Sequence, residues 1–149
     1  MKQCQLTIPG VVYAGPGSVE KINEVLQREK AQSVLLFTDK AVRGAGLTKR
    51  VEEICSAVKL TVIDDLASEP SYQDVERVID EVSVANIDLV IGVGGGSVMD
   101  AAKLASIVIG ADYGVRDLLK DPTIAKKYIK SLMIPTTCGT GSEATCNSI

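Results

Sequence analysis

The sequence has no histidine, no tryptophan and one phenylalanine. Without histidine there is no imidazole general base and no Ser-His-Asp triad, and the commonest kind of zinc or iron ligand is missing. Aromatics make up 3% of the chain, and its 16 basic residues are scattered and outnumbered by 19 acidic ones. That balance argues against a nucleic-acid partner, which would call for a basic face and stacking aromatics. No apolar run approaches the ~20 residues of a membrane span. The opening Met1-Lys2-Gln3-Cys4-Gln5 lacks the apolar stretch of a secretory signal. The four cysteines (Cys4, Cys55, Cys138 and Cys146) show no C-x-x-C spacing. They read as reduced thiols, and a cytoplasmic location is expected.

What is present is a dense aliphatic pattern. The chain has 149 residues, 46% of them hydrophobic, which fits one domain spanning residues 1–149. With so few aromatics the core must be Val, Ile, Leu and Ala, the usual filling of a parallel sheet covered by helices. Apolar runs alternate with helical periodicity, which favours βαβ units. Residues 33–38, 60–63, 89–93 and 132–134 read as buried strands, and an extended stretch is expected over residues 5–13. Helices are predicted over residues 18–28, with Ser18 as cap, and over 48–57, 72–85 and 97–109. Residues 112–119 read as a short helix or irregular chain. The expected fold is therefore α/β, a doubly wound and mostly parallel sheet with helices on both faces, Rossmann-like.

Three loops carry chemistry, and each follows a predicted strand. In Val93-Gly94-Gly95-Gly96-Ser97 a strand feeds a glycine turn that opens a helix. Glycines let backbone approach a ligand closely, and the unpaired amides of the first helical turn form an anion site. A plain turn capped by Ser97, with Asp100 completing a Ser-x-x-acid capping box, would need only one glycine. Three point to a phosphate. The spacing departs from Gly-x-Gly-x-x-Gly, since Ser97 stands where that pattern has its last glycine. The second loop is Pro135-Thr136-Thr137-Cys138-Gly139-Thr140-Gly141-Ser142-Glu143, whose hydroxyls and amides suit ribose and phosphate oxygens. The third is Asp39, placed either to accept from ribose hydroxyls and repel a 2′-phosphate, or to cap the next turn. Lys103 reads as a solvated helix residue, Lys126, Lys127 and Lys130 as a wet face, and Asp64-Asp65 as a strand end. Tyr72 and Tyr113 read as packing residues.

These segments resemble the iron-containing (group III) alcohol dehydrogenases. Gly94-Gly95-Gly96-Ser97-Val98-Met99-Asp100-Ala101-Ala102-Lys103 is similar to that family's Gly-Gly-Gly-Ser-x-x-Asp-x-Ala-Lys motif. Residues 135–145 resemble its Pro-Thr-Thr-x-Gly-Thr-Gly-Ser-Glu-x-Thr segment. Thr38-Asp39-Lys40 and Gly15-Pro16-Gly17-Ser18 also match, in the family's order. The resemblance implies an N-terminal domain that binds NAD, with NADP disfavoured by Asp39. Asp39 would meet the adenosine ribose, and Gly94, Gly95, Gly96 and Ser97 the pyrophosphate. Thr136, Thr137, Thr140, Ser142 and Thr145 would line the cleft, with Asp100 near it. It also implies hydride exchange between an alcohol or aldehyde and the cofactor in a longer parent. There a helical domain would hold iron or another divalent metal on an Asp and three His. No catalytic or metal-binding residue is expected in these 149 residues, which alone are expected to be inactive. Glu69 replaces the Asn that often precedes the proline matching Pro70. A stand-alone, non-catalytic nucleotide-binding module is the alternative. Self-association into a homo-oligomer is expected from apolar surface meant for the helical partner.

Overall fold

The computed structural model describes residues 10–66, 70–82, 86–126 and 128–145. The expected strand at 5–13 and the comparison at Glu69 fall wholly or largely outside them. After a 3-10 turn at Ser18–Glu20 come α1 (Lys21–Glu29), β1 (Ser33–Phe37), α2 (Lys40–Gly44), α3 (Lys49–Cys55) and β2 (Lys59–Ile63). Then follow α4 (Tyr72–Val82), β3 (Leu89–Gly94), α5 (Gly96–Val108), α6 (Val115–Lys120), a 3-10 turn at Pro122–Ile124, and β4 (Lys130–Pro135).

The four strands form one parallel sheet in the order β2-β1-β3-β4. The chain steps from β1 outward to β2, then crosses to the other side of β1 for β3 and β4. The winding direction thus reverses between β1 and β3. The two central strands are buried along their whole length, while β2 and β4 at the edges are mostly half-buried. Burial on both faces is why residues 33–37 and 89–93 read as near-continuous apolar runs rather than alternating ones.

Two cores lie on opposite faces of the sheet. Val34 and Leu36 of β1 and Ile91 and Val93 of β3 pack with Ile22, Val25 and Leu26 of α1 and Val51 and Ile54 of α3. Leu35, Phe37 and Val90 point the other way, onto Val75, Val78 and Ile79 of α4 and Ala101, Ala102 and Ala105 of α5. The doubly wound arrangement with helices on both faces is as expected. At the start of the sheet Asp88 Oδ2 accepts from the amides of Gln32 and Ser33, at 2.8 and 3.0 Å. One carboxylate oxygen thereby ties the head of β1 to the segment entering β3. Among the described residues no helix is long and apolar enough to cross a membrane.

Local details differ from the sequence expectations at helix starts. Ser18 does not cap a helix; Gly17, at φ 79°, precedes the 3-10 turn, and α1 begins only at Lys21. Ser97 does not cap α5 either. Gly95 takes the cap position with no side-chain hydrogen bond, so no Ser97–Asp100 capping box forms. The α2 turn was not anticipated as an element, and β4 runs longer than residues 132–134, through Pro135.

Gly92 explains how α5 lies so close to the sheet. A Cβ on Gly92 would stand 3.0 Å from both Ala102 Cβ and Met133 Sδ, and 3.5 Å from Met99 Cα. We expect Gly92→Val to destabilise the fold by about 1–3 kcal/mol through overpacking. Urea unfolding of the two proteins measures the difference, and an unchanged midpoint would show that the packing gives way freely.

Candidate functional site

The carboxyl edge of the sheet carries all three sequence-derived features. In the β1–β3 register Phe37 pairs with Gly92. Asp39 and Gly94 therefore stand two residues beyond that pair on adjacent strands, on either side of the reversal point. Ligands of open α/β sheets bind at this place, in the crevice outside the strand ends.

The glycine turn divides into two roles. Gly94 faces α5: a Cβ there would approach Val98 Cβ to 2.8 Å, so its lack of a side chain serves helix packing. Gly95 and Gly96 face the second loop. A Cβ on Gly95 would lie 3.4 Å from Thr137 Oγ1, and one on Gly96 3.1 Å from Ser142 Oγ and 3.5 Å from Thr140 Cβ. The first helical hydrogen bond of α5 runs from Met99 N to Gly95 O, at 3.1 Å. The amides of Gly96, Ser97 and Val98 come before it, at the positive end of the helix dipole.

The second loop is fastened to the first by the sheet itself. Gly94 pairs with Pro135 in the β3–β4 register, and Thr136 N donates to Gly94 O at 2.9 Å. The loop then turns through Gly139 (φ 101°) and Gly141 (φ 68°), a left-handed conformation that glycine adopts without strain. Gly141 O accepts from Ala144 N and Thr145 N, and Thr140 Oγ1 from Ser142 N. Ser142 is buried against the glycine turn, Thr136 is half-buried, and Thr137, Thr140 and Thr145 remain exposed.

Asp39 caps α2: its Oδ1 accepts from Val42 N at 2.8 Å. Both alternatives left open at this position can hold together, because a carboxylate has a second oxygen. The backbone of Asp39 also bridges to Asp65, which brings the ends of β1 and β2 together.

Lys103 corrects the sequence expectation. Its side chain is only 14% exposed and its Nζ lies 2.6 Å from Asp100 Oδ1. The same ammonium reaches the carbonyl and Oγ1 of Thr145 at 3.4 Å. Lys103 and Asp100 thus link α5 to the far end of the second loop. The i,i+3 spacing of Asp100 and Lys103 was visible in the sequence; the reach to Thr145 was not. A second group escaped sequence reasoning altogether. Arg43 Nη1 donates to Asp64 Oδ2 at 2.6 Å, and its Nε and Nη2 donate to Glu52 at 3.1 and 3.2 Å.

The remaining candidates within the described residues behave as packing or surface groups, and Lys127, Cys4 and Cys146 lie outside them. Tyr72 and Tyr113 pack against the core, and Tyr113 OH donates to Ile107 O at 2.8 Å. Lys126 and Lys130 are exposed. Cys55 is buried and its thiol is pushed up to about 11 by desolvation, which leaves it unreactive, whereas Cys138 is exposed. Among the described residues no group of three or more His, Cys, Asp or Glu converges to hold a metal.

The family profile for iron-containing alcohol dehydrogenase matches residues 9–149. Long-chain-alcohol dehydrogenase 1 of Geobacillus thermodenitrificans is 32% identical across 100% of this chain, which spans 39% of that relative's length. An iron-containing alcohol dehydrogenase from Thermotoga maritima superposes with a TM-score of 0.83 at 26% identity, over 95% of this chain and 40% of its own. Sulfoacetaldehyde reductase from Bifidobacterium kashiwanohense, solved in complex with NAD+, superposes with a TM-score of 0.85 at 24% identity, over 98% of this chain and 39% of its own.

Because Lys103 spans the two elements, Lys103→Met is expected to loosen residues 139–145 without unfolding the sheet. Hydrogen exchange should quicken in that segment while β1 and β3 stay protected. Unchanged exchange there would show that Lys103 does not hold the loop.

Proposed function

Since the chain belongs to the iron-containing alcohol dehydrogenase family, we propose that these residues bind a nicotinamide dinucleotide for hydride exchange between an alcohol and an aldehyde. The observation that carries the reading is the convergence of Gly95 and Gly96 with Thr137, Thr140 and Ser142 at the reversal point of the sheet. A helix start lined by side-chain-free backbone and facing hydroxyls is a cradle for a pyrophosphate. A Cβ at Gly96 would close it.

In this reading the amides of Gly96 and Ser97 donate to the pyrophosphate oxygens. Thr136, Thr137, Thr140 and Ser142 supply hydroxyls along the cleft. Lys103, with Asp100, keeps the second loop seated at Thr145. Asp39 keeps Oδ1 on Val42 N and offers Oδ2 to the adenosine ribose, which favours NAD over NADP. The bound nicotinamide supplies the hydride acceptor for alcohol oxidation. The family's metal would polarise the substrate oxygen. A fit for it is not found among these residues, which have no histidine and, where described, no converging ligand set. Their contribution is therefore to hold and orient the cofactor. The free thiols of Cys55 and Cys138 support a reducing compartment such as the cytoplasm.

Calorimetry with NAD tests the reading directly. The folded chain is expected to bind NAD, and Gly96→Val to weaken it at least tenfold, about 1.4 kcal/mol, with its circular dichroism unchanged. Absence of binding at millimolar NAD to a folded sample would sink the assignment.

A further inference from the structure

We propose that Arg43 is a latent receptor for the 2′-phosphate of NADP, held off the cofactor by Glu52 and Asp64. This rests on the dinucleotide reading and adds to it a device, apart from Asp39, that sets which cofactor is taken.

Arg43 lies one helical turn beyond Asp39, and its amide donates to Asp39 O at 2.9 Å. Its guanidinium reaches Asp64 Oδ2, and the neighbouring Asp65 bridges by its backbone to Asp39, so it belongs to the edge where Asp39 would meet the ribose; an Arg near that position accommodates the 2′-phosphate in doubly wound dinucleotide sites. A guanidinium matches phosphate as well as carboxylate, because both accept its parallel N–H bonds. Here all three guanidinium nitrogens are already engaged. Nε and Nη2 fork onto the two oxygens of Glu52, and Nη1 takes Asp64. Glu52 is in turn fixed by Thr48 Oγ1 at 2.7 Å. Burial pushes the Glu52 carboxyl upward, but Thr48 and Arg43 outweigh it and the net shift is down, so Glu52 stays ionised at neutral pH.

The charge balance around the clamp is acidic. Two carboxylates face the single guanidinium of Arg43, and Asp65, whose backbone bridges to Asp39, is met by Arg77 only at 3.8 Å. A 2′-phosphate arriving at Asp39 meets this excess of negative charge instead of a receptor. Yet Arg43 is 40% exposed, so no rearrangement of the core is needed to release it. Changing Glu52 and Asp64 to their amides removes its anionic partners, so an arriving 2′-phosphate no longer has a carboxylate to displace from it. Lys40, beside Asp39 and exposed, is the other cation that could serve, and the test separates the two.

The test is calorimetry of the purified chain with NAD and with NADP. Asp39→Asn removes the local repulsion while keeping an amide oxygen for the α2 cap. Adding Glu52→Gln and Asp64→Asn is expected to tighten NADP about tenfold beyond Asp39→Asn alone. Adding Arg43→Ala to those three should cancel that gain. The Glu52→Gln/Asp64→Asn pair with Asp39 intact should keep its NAD affinity, which shows that the site is still folded. If the triple variant does not fold, Asp39→Asn/Asp64→Asn, which frees Nη1 alone, should still gain about threefold. A folded triple variant no better than Asp39→Asn, or a gain that survives Arg43→Ala, overturns the proposal and leaves the NAD reading standing. A folded, unaltered chain that binds no NAD overturns both.

Discussion

The close approach of α5 to β3 is the constraint on which the site depends. It is possible because two residues of β3 on the α5 side, Gly92 and Gly94, have no side chain. At each, a Cβ would come within 3.0 Å of an α5 side chain, Ala102 at Gly92 and Val98 at Gly94. Helix packing distance is set by what stands between the axes, so the absence of a Cβ at these two positions lets α5 lie close to the strand. Its first turn then begins directly above the end of β3. Had β3 carried valines at 92 and 94, as it does at 90 and 93, α5 would ride higher. Gly95 and Gly96 would then lose their contact with the second loop.

The glycine run therefore serves packing and approach at once. Reading three consecutive glycines as one phosphate loop merges two demands that the structure separates. Gly94 belongs with Gly92 to the helix-packing set, while Gly95 and Gly96 face Thr137, Thr140 and Ser142. The second loop depends on the same strand, because Thr136 N bonds to Gly94 O. A shift of β3 would move the helix start and the loop together, which keeps their mutual geometry intact. Lys103 and Asp100 close the arrangement from the far side, at Thr145.

Much of this was legible in the sequence, for identifiable reasons. β1 and β3 are buried on both faces, so their runs are unbroken, and the 3.6-residue period of Val75, Val78, Ile79 and Val82 marked α4. The three loops were visible because each follows such a run, and a parallel sheet puts all its strand ends on one edge. What was not legible depends on contacts distant in sequence. Ser18 and Ser97 both have the composition of helix caps, but capping is decided by how the chain enters the helix, and at both sites a glycine takes the cap position. Lys103 has the composition of a solvated residue until a loop 42 residues away is laid against it. Arg43 is placed by Glu52 and Asp64, 9 and 21 residues on, and no local pattern encodes that meeting.

The absence of histidine takes on a physical meaning at the proposed cofactor site. A dinucleotide held by backbone amides, hydroxyls and one carboxylate needs no group that titrates near neutrality. In the proposed reading the α5 dipole, which pH does not alter, supplies the charge for the pyrophosphate, and acidic side chains set the specificity at the ribose. Four of the acidic groups at this edge also hold structure. Asp39 caps α2, Asp64 and Glu52 hold Arg43, and Asp100 holds Lys103. Each of these four carboxylates thus fastens a structural element. The surface that would discriminate between cofactors is thus made of the same contacts that fix the loops in place. In the proposed reading a substitution at Asp39 relieves the repulsion of a 2′-phosphate but leaves the clamp on Arg43 intact, so the full change of preference alters Glu52 and Asp64 as well.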